Sequence, residues 1–318
     1  YYPQLKRQVD FLASKAENYI IDRCINDHES LDQRIPALFA TAHFYHHVLL
    51  ITEFAQLTNR KADQQQYESL ARQIKAAFIQ KFVQTGTGKI GNGTPAEQAF
   101  GLYYGLIPED IRTKVIQQLL QAISDRNNHI TSGIFGTPIV LTVLSDLNLN
   151  DIAYQMATQT DFPGWGHMLS SGATTLWETW KYSDNVFSHN HPMFGSVGEW
   201  MYQSLAGIKA LSPGFKQISI HPQASGDLQW VNSSYESSRG KITCQWKKEN
   251  GTYTLQVHIP ANTKAQVFIP NKSSFIKESG ESIASSFLIQ IIREESDHCW
   301  IEIPSGTYLF SCPIPPKN

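Results

Sequence analysis

The sequence predicts a multidomain α and β chain: an all-α toroid of paired helices, followed by an antiparallel β-sandwich. Three observations lead there. At 318 residues the chain exceeds the usual span of a single hydrophobic core. Through its first two-thirds, apolar residues recur at i, i+3, i+4 and i+7, the period of a helix with one buried face. After Gly207 the pattern shortens to runs of period two separated by turn residues, the signature of strands.

The first helix is expected over about 4–25, with Leu5, Val9, Leu12, Ala13, Ala16 and Ile20 on one face. A second spans about 36–58 and opens on Pro36, which suits a first helical position because the missing N–H has no partner there anyway. A third covers about 62–83, and shorter ones follow near 95–105, 109–124, 136–146, 150–159, 172–180 and 195–210. No repeat of fixed period is visible, so a closed toroid is preferred to an open repeat array. Strands are read at 218–220, 241–246, 253–259, 265–269, 287–292 and 299–303, with turns at Glu249-Asn250-Gly251, Pro270-Asn271 and Ser305-Gly306. The domain boundary is placed near Ser212-Pro213-Gly214, giving a helical domain over residues 1–211 and a sheet domain over residues 212–318.

Composition narrows the function. Hydrophobic residues at 41% and charged residues at 17% describe an ordinary globular protein. A formal charge of −2 without a dense Lys/Arg run gives no means of neutralising phosphates, so nucleic acid is not expected as a partner. No apolar run approaches the roughly 20 residues that cross a bilayer, so a soluble protein is expected; the compartment is left open, with a periplasmic or secreted parent as one option. The four cysteines, Cys24, Cys244, Cys299 and Cys312, are far apart and form no C-x-x-C pair, which supports neither a zinc site nor a disulfide framework. The glycine-rich turns at Gly91–Thr94 and Ser132–Thr137 lack the spacing of a phosphate loop. No cofactor is proposed. Asn92, Asn232, Asn250 and Asn271 stand in glycosylation sequons, relevant only in a glycosylating secretory pathway. The chain starts at Tyr1 directly in a helical pattern, and upstream sequence is expected to be missing.

Small residues, tryptophans, a carboxylate and histidines concentrate between Phe162 and Ser196. Glu178 lies between Trp177 and Trp180, where helical spacing would bring an indole beside the carboxylate. A carboxylate partly desolvated in this way suits general acid or base work, although a helix-surface Glu flanked by two core tryptophans fits the same residues. His189 and His191 flank Asn190 in a loop; an H-x-H pair without a third ligand argues for hydrogen bonding to a sugar or to backbone before metal. Asp27-His28-Glu29-Ser30 follows the first helix and reads equally as a binding loop or as helix-capping chemistry.

Trp165-Gly166-His167-Met168, then Gly172-Ala173-Thr174-Thr175-Leu176-Trp177-Glu178, then Asn190-His191-Pro192-Met193-Phe194-Gly195-Ser196-Val197-Gly198-Glu199-Trp200 together resemble family 78 glycoside hydrolases, the α-L-rhamnosidases. Leu205-Ala206-Gly207-Ile208, Pro213-Gly214-Phe215-Lys216 and Ile220-His221-Pro222 resemble that family's passage into its C-terminal sandwich. The resemblance implies an (α/α)₆ toroid, incomplete here at its N-terminal side, that hydrolyses terminal α-L-rhamnosyl linkages with inversion. Glu178 then matches the general base, and His191 the histidine expected to hydrogen-bond the sugar. Trp165 and Trp180 match aromatic walls of the pocket.

Inversion needs a second carboxyl group, about 6.5–9.5 Å from the base, to protonate the leaving oxygen. The family's acid-bearing motif is not found in this sequence, so the acid is expected upstream of Tyr1 and the missing segment of the same protein becomes a required partner. The family often has Asp-Trp where this chain has Asp27-His28, which puts the sugar contact there in question. The expected ligand is a rhamnose-containing glycoside, oligosaccharide or polysaccharide. A toroidal hydrolase for another sugar and a noncatalytic carbohydrate-binding or scaffold protein are the competing readings.

Overall fold

The computed structural model describes residues 1–182 and 188–314. Within it the chain divides into two compact units, Tyr1–Ser196 and Val197–Asn318.

The first unit is helical. Its elements are α1 (Tyr2–Lys15), α2 (Pro36–Leu57), α3 (Lys61–Phe82), the short hairpin β1 (Val83–Gln84) and β2 (Lys89–Ile90), α4 (Pro95–Tyr103), α5 (Glu109–Ser124), α6 (Gly136–Asp146), α7 (Asn150–Thr158) and α8 (Trp165–Ser170). Helices pair as hairpins, α2 with α3, α4 with α5 and α6 with α7, and α4 also packs on both α2 and α6. The sequence explains the layering. α2 (PALFATAHFYHHVLLITEFAQL) and α6 (GTPIVLTVLSD) are apolar almost all round, as helices with protein on both sides must be, and Leu38, Phe39, Val48, Ile51, Val140 and Leu144 are buried. α3 and α5 bury a single stripe, Tyr67, Ala71, Ile74 and Phe78 on one and Ile111, Val115 and Leu119 on the other, and turn their charges outward. This is the inner and outer ring expected of a toroid.

Two helical expectations fail, and a third is cut short: the helix expected over about 195–210 ends at Leu205, and Ile208–Ala210 is a strand. α1 stops at Lys15, ten residues early, because Glu17 and Ile20 exchange backbone hydrogen bonds across Asn18 and Tyr19, both in left-handed conformation. The segment 172–180 is a loop. Gly172 ends α8 at φ +86°, and the N–H and C=O groups beyond it are taken by residues 188–191 in place of helical partners.

The second unit opens within α9 (Ser196–Trp200), continues through a π-helical turn at Met201–Leu205, and is then a sheet. Its strands are β3 (Ile208–Ala210), β4 (Gln217–Ile220), β5 (Trp230–Ser237), β6 (Gly240–Glu249), β7 (Thr252–Ile269), β8 (Lys277–Glu278), β9 (Glu281–Ser282), β10 (Gln290–Glu294) and β11 (Cys299–Pro313). β7 and β11 pair along nearly their whole length. Both bend at the same level, β7 around Asn262 in left-handed conformation and β11 where the register shifts between Pro304 and Gly306. One half of β7 therefore pairs with β6, and the other half with β4. The bend folds one continuous sheet into the two layers of a sandwich, with Ile218, Cys244, Leu255, Val257, Val267 and Ile301 in a shared core.

The sheet is antiparallel except for the parallel β4–β7 pair, since β5 and β6 intervene in the chain. The two sequence runs at 253–259 and 265–269 are one bent strand, and β5 escapes a period-two reading because its SSYES half is polar on both faces. Gly207, at φ +75°, lies so close to the chain at His221 that a Cβ would sit 2.1 Å from the His221 carbonyl carbon; no other residue fits.

Candidate active site

The structure builds the region around Glu178 from two loops laid side by side. Glu178 N–H donates to the Ser188 carbonyl at 2.9 Å, and His191 N–H to the Leu176 carbonyl at 2.8 Å. The Thr175 hydroxyl donates to the His189 carbonyl. β-Branched threonines and a positive-φ glycine favour this extended, cross-bonded path over a helix.

Among the described residues, the Glu178 carboxylate is hydrogen-bonded at one oxygen. Ser188 N–H donates to Oε2 at 2.8 Å. Oε1 faces His191 Nε2 across 4.0 Å, a gap too long for a direct hydrogen bond but suited to a small hydroxyl touching both. Both side chains stay about a quarter exposed, 23% for Glu178 and 24% for His191. Met193 N–H points to His191 Nδ1 at 3.4 Å, a weak contact that favours the tautomer carrying its proton on Nε2, toward the carboxylate. His189 turns the other way. Its ring lies against Trp177 and Tyr182, and its buried Nε2 has no hydrogen-bond partner among the described residues.

Trp165 and Trp180 lie beneath these loops. Trp180 is fully buried, and Trp165 is 7% exposed. Their rings meet edge to face at 5.2 Å, and Trp180 also packs on Phe194 at 3.9 Å. Each indole N–H is used: Trp165 donates to the Phe194 carbonyl at 3.0 Å and Trp180 to the Ser132 carbonyl at 2.8 Å. As the side chains stand, they offer no open face on which a sugar could stack, and they tie the 132, 165, 180 and 194 segments into one block. Because the segment is not a helix, the helical spacing of Trp177 and Trp180 about Glu178 does not apply.

Asp27 is likewise buried, with no exposed surface. Its carboxylate accepts three backbone N–H groups at the start of α6: Gly133 at 2.7 Å, Phe135 at 3.1 Å and Gly136 at 2.7 Å. Of the two readings open in the sequence, capping is the one seen, though the helix is α6, more than a hundred residues away. Burial pushes the carboxyl up to about 6, against the pull of those three N–H groups. Ile134 N–H donates to the His28 carbonyl at 2.8 Å, and a Cβ on Gly133 would meet that oxygen at 2.0 Å. His28 Nε2 lies 3.5 Å from Glu29 Oε1, and the His28 side chain is 42% exposed. The Asp27 loop thus holds Ser132–Gly136, Ser132 holds Trp180, and Trp180 stands two residues from Glu178.

One cluster was not anticipated. His43 on α2 hydrogen-bonds the Tyr104 hydroxyl through Nδ1 at 3.2 Å and packs edge-on against Phe100 and Phe135. Burial drives His43 down to about 4 and Tyr104 up to about 12, so both are neutral near pH 7. The signal was present in the sequence as His43, His46 and His47, spaced to share one face of a helix that is otherwise apolar. Glu97, buried in a capping box with Thr94, is pushed up to about 7 by desolvation. Among the described residues, no three His, Cys, Asp or Glu side chains gather closely enough to hold a metal ion.

Comparisons with known proteins agree with this architecture. The model of the bacterial alpha-L-rhamnosidase 6 hairpin glycosidase domain matches residues 1–205, and that of the bacterial alpha-L-rhamnosidase C-terminal domain matches residues 207–284. A curated alpha-L-rhamnosidase of Formosa agariphila is 31% identical over 283 residues, which cover 86% of this chain and 31% of that protein. The crystal structure of Streptomyces avermitilis alpha-L-rhamnosidase complexed with L-rhamnose superposes with a TM-score of 0.89 at 27% identity, covering 98% of this chain and 30% of that one. The Dictyoglumus thermophilum alpha-L-rhamnosidase structure gives 0.89 at 29% identity, covering 98% and 37%. The chain spans less than two-fifths of the length of any of these relatives. With a family model matching its first 205 residues and the same helical unit and folded sheet in its solved relatives, the chain belongs to the bacterial α-L-rhamnosidase six-hairpin glycosidase family.

Proposed function

We propose that this chain supplies the general base of an inverting α-L-rhamnosidase, with Glu178 as that base and a rhamnose-containing glycoside as substrate. The observation that carries the reading is the asymmetric Glu178 carboxylate. Ser188 N–H anchors Oε2, while Oε1 is left facing His191. A base must keep one oxygen in place and one available, and this arrangement supports that division of labour. A water accepting from His191 Nε2–H could donate its proton to Oε1 as it attacks the anomeric carbon, which would break the bond to the leaving oxygen on the opposite face.

The acid that protonates that oxygen is assigned to the portion of the longer relatives that these 318 residues do not cover. Trp165, Trp180 and Asp27 act as positioning residues, because their polar atoms are spent on holding the loops. His28 and Glu29, at the accessible side of the same loop, are assigned contacts to the substrate's polar groups. The helical domain carries the chemistry, and the sheet domain, whose first strand is β3 (Ile208–Ala210), follows it in the chain. No described helix is long and apolar enough to cross a membrane.

The direct test is hydrolysis of an aryl α-L-rhamnoside by the longer protein, followed by NMR before mutarotation. The β-anomer of rhamnose is expected first; initial α-anomer would exclude inversion, and no release of rhamnose would exclude the sugar assignment. His191→Ala should lower kcat/KM on the same substrate about 10- to 100-fold, the loss of one buried hydrogen bond to a reacting group. Steady-state kinetics with kcat/KM unchanged would remove His191 from the site.

A further inference from the structure

The outer face of the sheet carries a second set of groups that the hydrolytic reading does not use. Strand register places Asn232 of β5 opposite Gln245 of β6, Gln245 opposite Gln256 of β7, and Gln256 opposite Leu309 of β11. Three carboxamides thus form a straight row across adjacent strands. At about 4.8 Å per strand, the row is roughly 10 Å long, the span of about two pyranose rings.

All three are exposed, and no hydrogen bond ties their side chains to other described residues. The adjacent row begins with Trp230, opposite Lys247, and the Trp230 indole is 62% exposed. Together these residues line a groove of about 420 Å³. A bare indole beside unpaired amides carries a hydration and aggregation cost that a merely solvated face avoids by using charges.

The chemistry of the groove selects its occupant. Lys247, the cation in it, is neutralised by Glu249 at 2.7 Å, so no charge is left over for an acidic or basic partner. Each carboxamide both donates and accepts, as a ring of hydroxyls does. The negative face of an indole attracts a surface of polarised C–H bonds. A neutral pyranoside presents hydroxyls at its rim and C–H bonds on its face.

We propose that the face formed by Trp230, Asn232, Gln245 and Gln256 is a noncatalytic binding site for neutral oligosaccharides, with the indole as stacking platform and the carboxamide row reading hydroxyls. It would hold the glycan to the protein independently of the bond being cut, and it does not rest on the role of Glu178.

The test uses the intact protein carrying Glu178→Gln, so that turnover is removed whichever reading of that residue holds. Methyl α-L-rhamnopyranoside, galactotriose and mannotriose serve as neutral probes and a galacturonate trimer as an acidic one, each titrated by calorimetry and tryptophan fluorescence. At least one neutral probe should bind with a Kd in roughly the millimolar range, weakened about tenfold or more by Trp230→Ala and by the Gln245→Ala, Gln256→Ala pair. Trp230→Phe should retain most of the affinity. In the protein with Glu178 intact, Trp230→Ala should leave hydrolysis of a small aryl rhamnoside unchanged, which separates this site from the catalytic one. No neutral probe sensitive to Trp230 or to the glutamine pair, tighter binding of the acidic trimer, or self-association through this face that the same substitutions abolish would each overturn the proposal. Should Trp230→Ala fail to fold, the glutamine pair decides by the same criteria.

Discussion

Glu178→Gln in the longer protein is expected to lower kcat roughly 10²- to 10⁴-fold, the usual worth of a general base. The substitution is close to isosteric. The new carbonyl oxygen can still accept the Ser188 N–H that now reaches Oε2 at 2.8 Å, and the backbone bond from Glu178 N–H to Ser188 is untouched. What changes is the atom facing His191: an NH₂ group replaces an oxygen, and an amide nitrogen takes no proton from water near pH 7. KM and the melting temperature should therefore move little while kcat collapses. Steady-state rates on an aryl α-L-rhamnoside, beside a thermal melt of both proteins, give the answer. An unchanged kcat in a folded variant removes Glu178 as base.

Asp27→Ala is expected to cost about 3 kcal/mol or more in unfolding free energy, among the larger effects of any single substitution here. It leaves three buried N–H groups, those of Gly133, Phe135 and Gly136, without their acceptor at the start of α6. Asp27→Asn should cost less, since its oxygen can serve Phe135 and Gly136 while its NH₂ faces the Gly133 donor.

The pH dependence separates charge from shape. The Asp27 carboxyl is raised from 3.8 to about 6, so in the interval between those values the folded protein binds more protons than the unfolded chain. Its contribution is fully present below about 4 and is lost as pH rises through about 6. Glu97, raised from 4.5 to about 7, acts in the same direction slightly higher. Urea unfolding across pH 4 to 7 should show stability falling, less steeply in Asp27→Asn. An Asp27→Asn profile as steep as the parent's would show that Asp27 does not titrate in that window. Because the Asp27 loop is linked to the Glu178 segment indirectly, through Ser132 and Trp180, kcat should fall less in these variants than in Glu178→Gln.

Much of this molecule was legible in one dimension. The helices at 109–124 and 136–146 begin and end where the sequence puts them, because an apolar stripe with clear breakers leaves one solution that buries the stripe. The change from helix to sheet after Gly207 was equally plain, since the side-chain period itself changes from 3.6 to 2. The family motifs around Glu178 and His191 singled out these two residues, and the fold brings the pair within 4.0 Å.

Other features depended on partners distant in sequence. That residues 172–180 form a loop is decided by the 188–191 segment, which takes their backbone hydrogen bonds; local propensity holds no record of that competition. That Asp27 caps α6, and that Trp180 spends its N–H on Ser132, depends on groups 109 and 48 residues away along the chain. The carboxamide row on the sheet exists only through strand register, which aligns Asn232, Gln245, Gln256 and Leu309 from four separate stretches. Periodicity and motif identity are local and survive in the sequence by itself. Burial, hydrogen-bond partners and the juxtaposition of side chains are set by contacts that form only when distant segments meet, and the tertiary structure alone decides them.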